Sequence, residues 1–262
     1  MSHFFAPPSA AGVRRSGICR LLLVASVAIA VQVFGVSSAS AAAVCVPTGF
    51  MQDSMNLTAA MIDPMDSLVP ENLDATGCNI GIYYSTGNHN LMDKHVFGAN
   101  YYGILSNGSS ATNNNISFSS VFDIGENPPN GSQHGIAVAY RNGAGGQLDH
   151  SQIYDYQKGG VLARDAGTNV QILDNVVQGL GPVPFIAQNG VQVSSGATGN
   201  VNGNFIEDHE YTGCSKAQAK TGSCTYTVST GILLFSVDPT LVDTKNNTYR
   251  NNDVNLFNGS NL

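Results

Sequence analysis

The sequence predicts an all-β chain: a right-handed parallel β-helix, a single-stranded solenoid of about six coils behind an N-terminal cap. Three observations carry this reading. Six segments open on glycine followed by alternating apolar residues: Gly81-Ile-Tyr-Tyr, Gly103-Ile-Leu, Gly135-Ile-Ala-Val, Gly160-Val-Leu-Ala, Gly190-Val-Gln-Val and Gly231-Ile-Leu-Leu. Alternation with period two is the mark of a strand. Each segment is followed 10 to 13 residues later by a second unit with a residue between its two ends, usually Ser or Asn: Lys94, Ser119, Ser151, Asn175, Asn204 and Asn247. The glycines lie 22, 32, 25, 30 and 41 residues apart. Variable spacing suits a solenoid whose loops bulge outward without disturbing the stack. One coil cannot bury its own apolar side, so its neighbours must stack on it.

The elements follow in chain order. Residues 1–43 read as an export signal, with basic Arg14, Arg15 and Arg20, an apolar run from Leu21 to Val36 and small residues from Ser37 to Ala43. That run is short for a membrane span, which needs about 20 residues. The expected location is therefore extracellular or periplasmic. Residues 44–80 lack the repeat and are expected to cap the first coil, because an open sheet edge needs covering. Within them Leu57-Thr-Ala-Ala-Met-Ile is expected to form a short helix. Residues 81–262 hold the coils. The Ser/Asn column is expected to be a structural ladder, since identical side chains stacked about 4.8 Å apart can hydrogen-bond along the axis.

Charge and cysteine content narrow the function. Loss of the signal removes three of 11 basic residues and none of 18 acidic ones, leaving 8 against 18. This excess argues against nucleic acid, which requires a basic surface. An acidic polysaccharide would need a bridging cation, such as Ca²⁺, or a locally basic groove. Cys45, Cys78, Cys214 and Cys224 remain, an even number that reads as two disulfides in an exported chain. Three pairings are open; Cys45–Cys78 and Cys214–Cys224 are favoured, because each closes a local segment outside the repeat. No spacing supports a metal site.

Three long excursions, 122–134, 178–189 and 207–230, leave the same corner of successive coils, and such loops can wall a cleft. Candidate binding residues there are Gln133, Lys158, Gln188 and Asn189, within an expected polar row Tyr101, Gln133, Lys158, Gln188 and Ser229. Asp208, His209 and Glu210 form the densest ionisable cluster, with His134 on another excursion as a further candidate acid or base. Arg164, close to Asp165, is the candidate lyase-like base or carboxylate clamp. Each also has a plain reading, as a solvated edge or a surface ion pair.

Gly135-Ile-Ala-Val, Tyr156-Gln-Lys-Gly-Gly-Val, Ala187-Gln-Asn-Gly-Val-Gln-Val and Gly196-Ala-Thr-Gly-Asn-Val-Asn-Gly-Asn resemble the pectin-lyase-like right-handed parallel β-helix superfamily, over about residues 81–257. The likeness is greatest to secreted bacterial β-helix repeat proteins related to carbohydrate-binding and sugar-hydrolase domains. It implies a polysaccharide partner; lyases, hydrolases, epimerases and inert scaffolds all share the fold. His134-Gly135 matches only part of the Gly-His-Gly signature of polygalacturonases, whose paired aspartates and Arg-Ile-Lys segment are missing. Leu148-Asp149-His150-Ser151 resembles a pectate-lyase segment, but the arginine motif that supplies the base there is absent. Asp149 and His150 are therefore expected to form a capped bend.

Overall fold

A computed structural model describes residues 43–225 and 227–260. The expected export signal lies almost wholly outside the described residues, which belong to one compact unit.

The chain winds through three parallel sheets, and each complete coil donates one strand to each. Coil 1 comprises Ile80–Tyr84, Asn90–Met92 and His95–Phe97. Coil 2 comprises Tyr102–Asn107, Asn115–Ser117 and Ser120–Phe122. Coil 3 follows with Ile136–Arg141, Gly145–Asp149 and Gln152–Ile153, then coil 4 with Gly159–Arg164, Asn169–Leu173 and Val176–Val183. Coil 5 holds Asn189–Ser194, Thr198–Asn202 and Phe205–Tyr211. Coil 6 holds Thr230–Phe235, Val242–Asp243 and Thr248–Asn252. We call the three sheets the first, second and third faces, in that order. Val254–Asn258 adds a last strand to the first face.

Sequence and stacking agree through the interior. Ile82, Ile104, Val138, Val161, Val191 and Ile232 are buried one above another. The coil-opening glycines point inward beside them, because nothing larger fits. A Cβ on Gly160 would sit 2.6 Å from the Gly190 carbonyl oxygen and 2.7 Å from Val177 Cγ1. Gly135 departs from this pattern. Ile136 pairs with Tyr102 and with Gly159, so Ala137 takes the inward position and Gly135 belongs to the preceding turn, at φ +86°.

The Ser/Asn column forms the expected ladder at the turn between the second and third faces. Ser119 Oγ accepts from Lys94 N, Ser151 Oγ from Ser119 N, and Asn175 Oδ1 from Ser151 N. Asn204 Oδ1 then accepts from Asn175 N, and Asn247 Oδ1 from Asn204 N. Asp149 and His150 make the expected bend: Asp149 accepts from Ser117 at 2.8 Å and meets His150 Nδ1 at 2.8 Å.

The expected helix at Leu57–Ile62 is instead part of the strand Met55–Ile62. Leu57 and Ala59 alternate into the buried side, and pairing with Ile80–Tyr84 supplies hydrogen bonds that a short isolated helix would lack. Val46–Gln52 runs antiparallel to it, while Asn72–Asp74 already joins the third face. Both expected disulfides are present, Cys45–Cys78 with Cα atoms 5.3 Å apart and Cys214–Cys224 with 5.9 Å. Among the described residues no helix is long and apolar enough to cross a membrane.

Candidate functional site

The outer side of the first face presents two clefts bordered by Lys and Arg. Strand register aligns two outward rows across it. One is Ile80, Tyr102, Ile136, Gly159, Asn189, Thr230 and Val254; the other is Tyr83, Leu105, Ala139, Leu162, Gln192, Leu233 and Phe257. Over the first coils these rows are apolar, and the N-terminal hairpin covers them. Phe50 packs on Tyr83 and Tyr102, each with ring centroids 6.4 Å apart, and the Arg141 guanidinium lies 5.5 Å above the Phe50 ring. Two clefts open where that cover ends.

The first cleft, about 420 Å³, is bordered by Gln52, Asp53, Tyr102, Gln133, Arg141 and Arg164, among others. Arg141 and Arg164 are register partners on adjacent strands and share Asp165, at 3.6 Å and 3.4 Å. Arg141 Nη1 also donates to the Tyr102 hydroxyl oxygen at 3.2 Å and to Gln52 Oε1 at 3.4 Å. Tyr102 donates to Gln52 Oε1 at 2.7 Å. Gln52 thus places a carbonyl oxygen where two donors converge, an arrangement that also suits a carboxylate.

The second cleft, about 610 Å³, lies over coils 4 to 6 and is lined by Lys158, Asn189, Lys216, Thr230, Leu233 and Phe257, among others. Lys158 Nζ donates to the Ala187 carbonyl at 2.8 Å, and burial lowers its pKa from the ordinary lysine value. Asn189 accepts from Thr230 Oγ1 at 2.8 Å and donates to Gln192. Four of the eight Lys and Arg among the described residues, Arg141, Lys158, Arg164 and Lys216, border these two clefts. Coil 4 contributes to both.

The other sequence candidates are dispersed. Gln133 is not in the row with Lys158; the paired row is Tyr101, Gly135, Lys158, Gln188 and Ser229, because the turn at Gly135 shifts the chain by two. Gln188 is buried, accepting from Leu180 N and donating to the Tyr156 and Gln157 carbonyls, so its amide holds the corner from inside. His134 stacks on Tyr101 with centroids 4.1 Å apart, and its Nε2 lies 2.6 Å from Glu126 Oε1.

Asp208, His209 and Glu210 belong to the strand Phe205–Tyr211 rather than to a loop. Their side chains therefore alternate. His209 points inward and is fully buried, bonded to the Tyr156 hydroxyl and, through Nδ1, to Asn252 Oδ1 at 2.7 Å. Burial lowers its pKa to about 4. Asp208 faces outward and accepts from Gln178 and Asn251, which lowers its pKa. No group of three or more His, Cys, Asp or Glu capable of holding a metal gathers among the described residues.

Sequence reasoning missed Arg141. Taking Gly135 as the opening glycine sets coil 3 two residues out of step, which hides the pairing of Arg141 with Arg164. Aligning Ala137 with Gly103 and Gly160 is the signal that brings them together.

These stacked faces and inward glycines define a parallel β-helix protein. A family model described as a right-handed β-helix region matches residues 66–229, and the chain belongs to that family. Neither a curated protein nor a solved structure matches it.

Proposed function

We propose that the protein is exported and binds an acidic polysaccharide along the outer side of its first face. The observation that carries this reading is the concentration of Arg141, Lys158, Arg164 and Lys216 at two clefts of a chain whose formal net charge is −7. A locally basic groove is what an acidic chain needs to keep a polyanion from being repelled. Guanidinium groups grip carboxylates with two parallel hydrogen bonds, and lysine adds a compact charge. The apolar floor at Leu162, Leu233 and Phe257 suits the apolar faces of sugar rings. Export is proposed from the signal-like leader, and the two disulfides fit an oxidising compartment.

The reading is of binding. His209 is enclosed, Arg164 faces Asp165, and His134 faces Glu126. No acid and base among the sequence candidates flank a common open position, as general acid–base catalysis of sugar cleavage requires. The alternative of an inert surface or matrix rod predicts no response to any polymer.

The test is affinity electrophoresis and thermal shift of the mature protein against acidic and neutral polysaccharides, with and without Ca²⁺, while unsaturated products and reducing ends are monitored. Retardation by acidic polymers alone, weakening with salt, is expected. Retention by neutral polymers only, or by none, would overturn the proposal.

A further inference from the structure

We propose that Lys158 is a site of reversible imine formation with aldehydes that carry an apolar body, bound in the cleft over coils 4 to 6. This goes beyond the acidic-polymer reading and does not rest on it.

Lys158 differs from Lys94 and Lys245 in its surroundings. Its ammonium donates to the Ala187 carbonyl, and among the described residues no carboxylate lies within 4 Å of its nitrogen. Lys94 lies 4.0 Å from Asp66 and Lys245 lies 3.3 Å from Asp243, each with a carboxylate to stabilise its charge. Lys158 opens instead on a cleft walled by Val228, Leu233, Val254 and Phe257. An amine without a counter-ion in such a place gives up its proton more readily than an exposed lysine, because burial penalises the charge. The lowered pKa of Lys158 has this cause. Desolvated lysines of this kind act as amine nucleophiles toward carbonyl compounds.

The step balances without an oxidant or reductant. The ammonium first loses a proton to solvent, and one remaining N–H can keep donating to the Ala187 carbonyl. The nitrogen lone pair attacks the aldehyde carbon as the carbonyl π pair moves to oxygen, and a proton passes from nitrogen to that oxygen to give a carbinolamine. Loss of water then breaks the C–O bond as C=N forms. Hydrolysis runs the same sequence backward. The volume of about 610 Å³ accommodates an aromatic or short aliphatic aldehyde, and the apolar wall selects for its body.

The experiment uses the mature protein with benzaldehyde or glyceraldehyde at pH 7 and cyanoborohydride to trap imines, followed by peptide mass spectrometry. With benzaldehyde, labelling at Lys158 is expected to exceed that at Lys94 and Lys245 severalfold, because burial lowers the cost of freeing its amine and the apolar wall holds the ring beside it. The preference should narrow as the pH rises, because the advantage of a more easily freed amine at Lys158 then shrinks. Glyceraldehyde should show a smaller preference. Lys158→Arg should remove the Lys158 adduct and leave labelling of Lys94 and Lys245 unchanged. Labelling of Lys158 no faster than of Lys94 and Lys245 would overturn the inference. Equal preference with both aldehydes would overturn the requirement for an apolar body. Both comparisons are made within the wild-type chain, so a poorly folded variant cannot obscure them.

Discussion

Asn204 shows how much one side chain carries in this fold. It is fully buried, its Oδ1 accepts from both the backbone and the carboxamide of Asn175, and its Nδ2 donates to the Ile172 carbonyl. Asn204→Ala removes the partners of several buried groups at once. Each unsatisfied group costs about 1–3 kcal/mol, so urea titration should show a loss of at least about 2 kcal/mol. Unchanged stability would mean that the ladder is incidental. His209 makes a pH-dependent contribution. Its pKa is about 4 in the folded chain against an ordinary value of 6.5. The unfolded chain therefore binds the extra proton between those values, so the contribution is complete above pH 6.5 and lost as pH falls toward 4. The difference corresponds to about 3 kcal/mol. His209→Gln should flatten the fall in stability between pH 6.5 and 4; an unaltered slope would assign the acid sensitivity to other groups.

Strands obey a simpler rule than the sites they carry. The inward glycines of the first face are closed in by their neighbours, so Gly160→Val drives a side chain against the Gly190 carbonyl and Val177. Overpacking of this kind costs about 1–3 kcal/mol. Thermal unfolding should place this variant well below Gly222→Ala, whose Cβ would meet nothing within 4 Å and costs only the backbone strain of its φ of +71°. At the N-terminus, Cys45–Cys78 closes a separation of 33 residues and secures the hairpin that covers Tyr83 and Tyr102.

The coils are legible in the sequence because glycine, inward apolar residue and ladder residue recur for steric and hydrogen-bonding reasons that act within one coil and its neighbour. Four features are less legible. Leu57–Ile62 carries no glycine signal, and only pairing with the next strand makes it extended. Gly135 resembles a coil opener because a turn and an inward position can both require glycine. The cleft escapes reading because it depends on register between strands, which brings Arg141 beside Arg164 and sets Lys158 on the same outer side as Leu233 and Phe257. The strand character of Asp208, His209 and Glu210 likewise depends on the extension of Val176–Val183 beside them.

For the solenoid as a whole, the proposed groove for an acidic polymer rests on positive charge gathered on one side of an acidic protein. Arg250 supplies an internal control: it lies on the third face, pairs with Glu207 and stacks over Phe205. Salt dependence belongs to this scale too. Binding should weaken as ionic strength rises from 0.05 to 0.5 M, because the distances between exposed charges exceed the shrinking screening length, about 10 Å at 0.1 M. The most direct measurement is isothermal calorimetry of an acidic hexasaccharide against the wild type, Arg164→Ala and Arg250→Ala. Arg164→Ala should weaken binding by about fivefold or more, as loss of a charge-assisted hydrogen bond would, while Arg250→Ala should leave it unchanged. Equal losses in both variants, or binding indifferent to Arg164→Ala, would contradict the proposed groove.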